Sequence, residues 1–154
     1  MILKKQEIIN TEVTKNNRRY PREVLMSIRD QINNRDKSRN VGQIGYPEGM
    51  ETNLRRVAFT YSNAVVEDDV LYADIEILET EMGDEIKRLL ELEVLTKSRS
   101  IRFRPAGSAT IKGGMPVETL NLLGIPNVVS EDYKLLGIHA IYDSEDAINL
   151  KNDI

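Results

Sequence analysis

Apolar residues recur along the chain with two periods, and each period predicts a type of element. From Arg22 to about Asn34 they fall at Val24, Leu25, Ile28 and Ile32, a spacing that lines one face of a helix. Pro21 suits its first turn, where the missing N–H costs nothing. A second helix is predicted from Thr80, a good N-cap, to about Val94. Glu81, Asp84 and Glu85 sit near its positive end, and Met82, Ile86, Leu89 and Leu90 form its buried stripe, with Glu93 marking a further turn. Elsewhere the period is two. Val70, Tyr72, Asp74 and Glu76 alternate with Leu71, Ala73, Ile75 and Ile77, which predicts a half-buried strand ending at Leu78. Arg56 to Val66 is a second β-rich run, and Glu67-Asp68-Asp69 between the two predicts an acidic hairpin turn. Further strands are predicted over Ile2–Val13, Ser98–Ala106, Ala109–Ile111 and Tyr133–Tyr142.

Polar and glycine-rich stretches separate these elements. Thr14 to Arg19 reads as a loop, and Gly42, Gly45, Pro47 and Gly49 punctuate a segment tight enough to form a site. Gly113-Gly114 with Pro116 predicts a loop before Leu120-Asn121-Leu122-Leu123. No repeat or low-complexity tract interrupts the chain. Six or seven strands with two principal helices predict an α+β fold with a small, mostly antiparallel, barrel-like core flanked by helices. One domain over residues 1–154 is expected, with a polar tail from about 143.

Composition narrows the function classes. Among 154 residues, 21 Lys and Arg oppose 25 Asp and Glu, for a net charge of −4, and a hydrophobic share of 40% is enough for a packed core. With no Cys, disulfides, Cys-ligated zinc and Cys nucleophiles are excluded. No apolar run approaches the roughly 18 residues of a membrane helix, and Met1-Ile2-Leu3-Lys4-Lys5-Gln6 turns polar too early for a secretory signal. A soluble protein inside a cell or a virion is expected. The acidic balance argues against general nucleic-acid binding, although a local basic stripe stays open. Neither metal-ligand spacing nor a phosphate loop is present, so no metal or cofactor is expected.

Two places carry possible chemistry. His139, the sole histidine, shares one side of a predicted strand with Leu135, Gly137 and Ile141. It reads either as a partly buried histidine with a hydrogen-bond partner or as a general base in need of a nucleophile. Ser98, Ser100, Arg102 and Arg104 share a strand face opposite Lys97, Arg99, Ile101 and Phe103. That polar, basic face suits a serine nucleophile beside oxyanion-stabilising cations, or a surface that meets an acidic peptide or phosphate.

In order along the chain, several segments resemble the prohead (capsid maturation) serine protease family of tailed bacteriophages, whose fold is similar to the herpesvirus assemblin proteases. Asn16-Asn17-Arg18-Arg19-Tyr20-Pro21 resembles the entry "N-x-R-x-Y-P", Gly42-Gln43-Ile44-Gly45-Tyr46-Pro47 resembles "G-E-L-x-H-P", and Asn53-Leu54-Arg55-Arg56-Val57-Ala58-Phe59 resembles "N-L-x-R-V-S-H". Ala73 to Gly83 is similar to "a-x-I-E-I-L-x-T-x-x-G", Ser100-Ile101-Arg102-Phe103 to a serine-bearing "S-I-G-F" strand, and Asp132 to Ile138 to "D-F-x-L-x-x-I".

The resemblance implies Ser100 as the nucleophile position and places the two family histidines at Tyr46 and Phe59. Neither replacement can act as a near-neutral base. Arg102 stands where the family keeps a glycine, and His139 where it carries Asp. The expected function is therefore a phage virion or head-assembly structural protein that has lost hydrolysis and binds capsid, scaffold or neck proteins. Tyr46 and Phe59 would then offer an apolar anchor, and Ser98, Arg102 and Arg104 a binding face. A homo-oligomer is open, and the expected location is the phage head or the host cytoplasm during assembly. The alternative is an active maturation serine endopeptidase that cleaves scaffold and capsid proteins, with Ser100 served by His139 or Lys97. An α+β domain unrelated to phage is a third reading.

Overall fold

A computed structural model describes residues 1–12, 18–46, 52–96, 101–111, 122 and 128–142. Among them the chain runs β1 (Ile2–Asn10), β2 (Arg18–Arg19), α1 (Arg22–Asn34), β3 (Val41–Gln43), β4 (Val57–Glu67), β5 (Val70–Ile77), α2 (Glu81–Thr96), β6 (Ile101–Thr110), β7 (Val128–Val129) and β8 (Asp132–Tyr142). Short 3-10 turns lie at Lys37–Arg39 and Leu54–Arg56.

The acidic turn forms as its composition predicts. Asp68 and Asp69 take φ of 51° and 61°, a left-handed pair that Asp tolerates and that matches the twist of the flanking strands. It joins β4 to β5 in an antiparallel sheet of order β1-β5-β4-β3. Register shifts at Leu3/Gln6 and Ser62/Val65 mark bulges, and Lys5 and Asn63 within them also have positive φ. β6 and β8 form a second, antiparallel pair, bulged between Ala106 and Gly107. The two strands predicted on either side of Gly107 are thus one.

The two sheets wrap toward each other. A single parallel bridge, Ile44 to Ala140, links the β3 side to β8. On the other side Arg104 donates to the Ile8 carbonyl of β1 at 3.4 Å, but no ladder joins β1 to β6 among the described residues. The core is barrel-like without being a closed barrel.

α1 packs Val24, Leu25, Ile28 and Ile32, the predicted stripe, against β4 and β8. Pro21 precedes the helix as its N-cap rather than entering it, and its carbonyl accepts from Val24 at 2.9 Å. Thr80 caps α2 as expected. Its hydroxyl accepts from the Gly83 N–H at 2.9 Å and donates to the Val57 carbonyl at 2.8 Å, which seats the helix start on β4. The parallel β2–β7 pair was not predicted, because two-residue strands leave no period to read. Pro47, Gly49, the Gly113-Gly114 loop, most of the Leu120–Leu123 segment and the tail from 143 lie outside the described residues.

Candidate functional site

β3, β4, β6 and β8 meet at one junction. β3 pairs Gly42 with Phe59, the next residues reach Ala140 through the Ile44 bridge, and β8 pairs Ala140 with Phe103. A side chain at position 42 would collide with the Phe59 ring and the Ile138 carbonyl, so glycine is what lets these strands close. Phe59 stands edge-to-face with Phe103 at 5.1 Å and lies 6.3 Å from Tyr61. All three rings are buried, and Phe59 is 0% exposed. Phe59 therefore fills the interior and cannot anchor a partner, contrary to the expectation from sequence.

Tyr46 lies at the mouth of this junction, half-buried. Side chains nail the segment before it in place. The Gln43 amide accepts from the Asn53 N–H at 2.6 Å and donates to the Gly45 carbonyl at 3.2 Å, while Arg56 donates twice to the Ile44 carbonyl, at 3.0 and 2.9 Å. Gly45, at φ 80°, gives its N–H to the Ala140 carbonyl at 2.7 Å. Gln43, Ile44, Gly45, Tyr46, Thr52, Asn53 and Arg56 line a cleft of about 630 Å³. Thr52, Asn53 and Arg56 put a hydroxyl, an amide and a guanidinium along it, groups that suit a carbonyl or carboxylate. Among the described residues no carboxylate or imidazole lines the cleft, so none of them offers a base that titrates near neutrality.

Gln43, Asn53 and Arg56 are the residues that sequence reading missed. All three fall inside the quoted motifs, but their work is to bond backbone carbonyls and N–H groups, which no residue pattern announces. Asn53 also accepts from the Arg55 N–H at 3.0 Å to start the 3-10 turn.

His139 does not join the junction. Phe103 and Ala140 are a cross-strand pair, and neighbouring residues point to opposite faces, so His139 lies on the other face, opposite Arg104. It is 0% exposed, and burial pushes its imidazole down to about 4. Neither ring nitrogen has a hydrogen-bond partner, where the sequence reading expected one. The first residue of β6, Ile101, pairs with Tyr142, three residues from His139, or roughly 10 Å along a strand.

Arg102 and Arg104 are half-buried on their shared face. Arg104 is spent on structure, donating to the Ile8 and Phe103 carbonyls, the latter at 3.1 Å. The start of β6 is held by Glu93 of α2, which accepts from the Ile101 N–H at 2.5 Å. Lys97, Ser98 and Ser100 lie outside the described residues.

No family model matches the sequence, and no curated protein matches it. Among solved structures, the chain is similar to the capsid assembly protease gp21 of bacteriophage T4. The TM-score is 0.59 at 17% identity, over 94% of this chain and 92% of that one. The likeness is one of fold: mixed α and β, mostly antiparallel, with two helices.

Proposed function

We propose that this chain is a phage head-assembly protein built on a prohead-protease-like fold, no longer hydrolytic, that binds capsid, scaffold or neck proteins. The observation that carries the reading is the burial of Phe59 against Phe103. At the position that the resemblance gives to a family histidine, an apolar ring is locked into the core. The loop matched to the other histidine carries Tyr46 beside Arg56, in a cleft where no described residue is a base. His139, the sole imidazole, is buried, neutral at pH 7 and on the opposite strand face. Similarity in fold to a capsid assembly protease, over nearly the whole of both chains, supports the link to head assembly.

The test is a serine-reactive fluorophosphonate probe applied to the folded protein, with peptide mapping and a Ser100→Ala control. No labelling is expected. Labelling of Ser100 that the control abolishes would mean an activated nucleophile and an endopeptidase. The binding half is tested by co-sedimentation with assembled heads, where recovery with the particle is expected and its absence counts against the reading.

A further inference from the structure

A second concave surface lies away from the Tyr46 cleft, where the end of α1 meets the start of β8. Gln31 and Arg35 cover the exposed edge of β8 there, in place of a further strand. The Gln31 amide donates to the Tyr133 carbonyl at 2.6 Å and accepts from the Leu135 N–H at 2.7 Å. Arg35 donates to the carbonyls of Gln31, Leu136 and Leu135 at 3.2, 3.1 and 2.9 Å. This closes the edge to strand addition and fixes one guanidinium.

Carbonyls take three N–H groups of Arg35, and among the described residues no carboxylate pairs with its charge. Arg39 and Lys134 line the same cleft, of about 680 Å³, and among the described residues no acidic one does. Among the described residues neither side chain forms an ion pair. Asp36, the acid nearest in sequence, spends its hydrogen bonds on Ser38, whose N–H and hydroxyl it accepts at 2.9 Å each, and feels Arg39 only as the weakest of the influences that lower its pKa. Three cations thus share a pocket on a chain of net charge −4. The half-buried Leu136 supplies an apolar floor, and the exposed Asn34 an amide at the rim.

We infer that this cleft binds an acidic peptide segment of a partner protein, its carboxylates on Arg39 and Lys134 beside the fixed charge of Arg35, and a neighbouring apolar side chain on Leu136. Charge complementarity and the leucine floor together favour a peptide over a nucleic acid, which needs a stripe of cations along successive phosphates and no apolar pocket. The inference stands on the cleft alone and holds whether or not the chain is a protease relative.

The test is fluorescence anisotropy of the full chain with a labelled peptide of alternating Glu and Leu, a matched Gln and Leu peptide, and a single-stranded oligonucleotide. The Glu peptide should bind and weaken with added salt, and the Gln peptide should bind at least about tenfold more weakly. Arg39→Ala with Lys134→Ala should cost a similar factor, whereas Lys87→Ala with Arg88→Ala, an equal charge change on α2, should not. Arg39 and Lys134 are both exposed, so their double variant keeps its fold, which circular dichroism checks. Equal binding of the Gln peptide, or equal loss in the α2 control, overturns the site. Oligonucleotide binding stronger than the peptide and dependent on Arg39 and Lys134 overturns the choice of ligand.

Discussion

Two titratable groups in this molecule are both held below their ordinary pKa, for opposite reasons. His139 sits inside the β6–β8 pair with no partner for either nitrogen, and burial alone disfavours its charge. Asp74 sits on the outer face of the β1–β5–β4 sheet, and hydrogen bonds favour its charge. The Lys5 N–H donates to it at 3.0 Å, the Asn63 amide at 3.1 Å and Lys4 at 3.3 Å, which holds the carboxyl below the usual range. Lys5 and Asn63 are the positive-φ residues of the two bulges, so this one carboxylate braces both irregularities at once. One region excludes charge and the other is organised around it. The same direction of shift therefore carries no information about role until its cause is known.

Both groups make the fold acid-sensitive, in separate windows. For His139 the unfolded chain takes up a proton as pH falls through about 6.5. The folded chain resists until about 4, so stability drops between those values and levels off below them. For Asp74 the folded carboxyl stays ionised below the unfolded value. Its contribution is full above about 4 and fades as pH falls through the lowered pKa.

The largest expected effect comes from emptying the interior. Phe59→Ala removes a fully buried ring between Phe103 and Tyr61 and should cost about 3–5 kcal/mol in urea unfolding, with no relief at any pH. Next, His139→Leu should abolish a loss of about 3 kcal/mol that the parent shows between pH 6.5 and 4. An unchanged pH profile would mean that the imidazole is not buried as described. Asp74→Ala should cost about 1 kcal/mol at pH 7, discounted for its partial exposure, and progressively less below pH 4 as the parent carboxyl protonates. Lys4→Ala removes a donor that is 72% exposed and should shift stability by less than about 0.5 kcal/mol, vanishing in high salt. If Lys4 mattered as much as Asp74, the carboxylate would be an ion-pair partner rather than a brace for bulges.

Much of the fold was legible because it obeys local rules. The stripe Val24, Leu25, Ile28, Ile32 and the alternation from Val70 to Ile77 each bury one face, and burying that face decides the element. The cap that Thr80 gives Gly83 and the Asp68-Asp69 turn are equally local, since each acts within four residues. The site was legible only as positions. Tyr46 and Phe59 could be matched to a motif, but whether Phe59 presents a surface or fills the core depends on Phe103, more than forty residues away. Likewise the basic face read along β6 loses Arg104 to a carbonyl of β1, while the cations without an ion pair in the second cleft, among the described residues, come from the end of α1, a turn and β8, which no window of sequence joins.

The amino-acid sequence by itself determined the element types, the acidic hairpin and the absence of thiol chemistry, because propensity, periodicity and composition act over a few residues. Only the tertiary structure decided which polar groups keep their partners. That choice gives Asp74 three donors and His139 none, because burial and hydrogen bonding are settled by neighbours that arrive from distant parts of the chain.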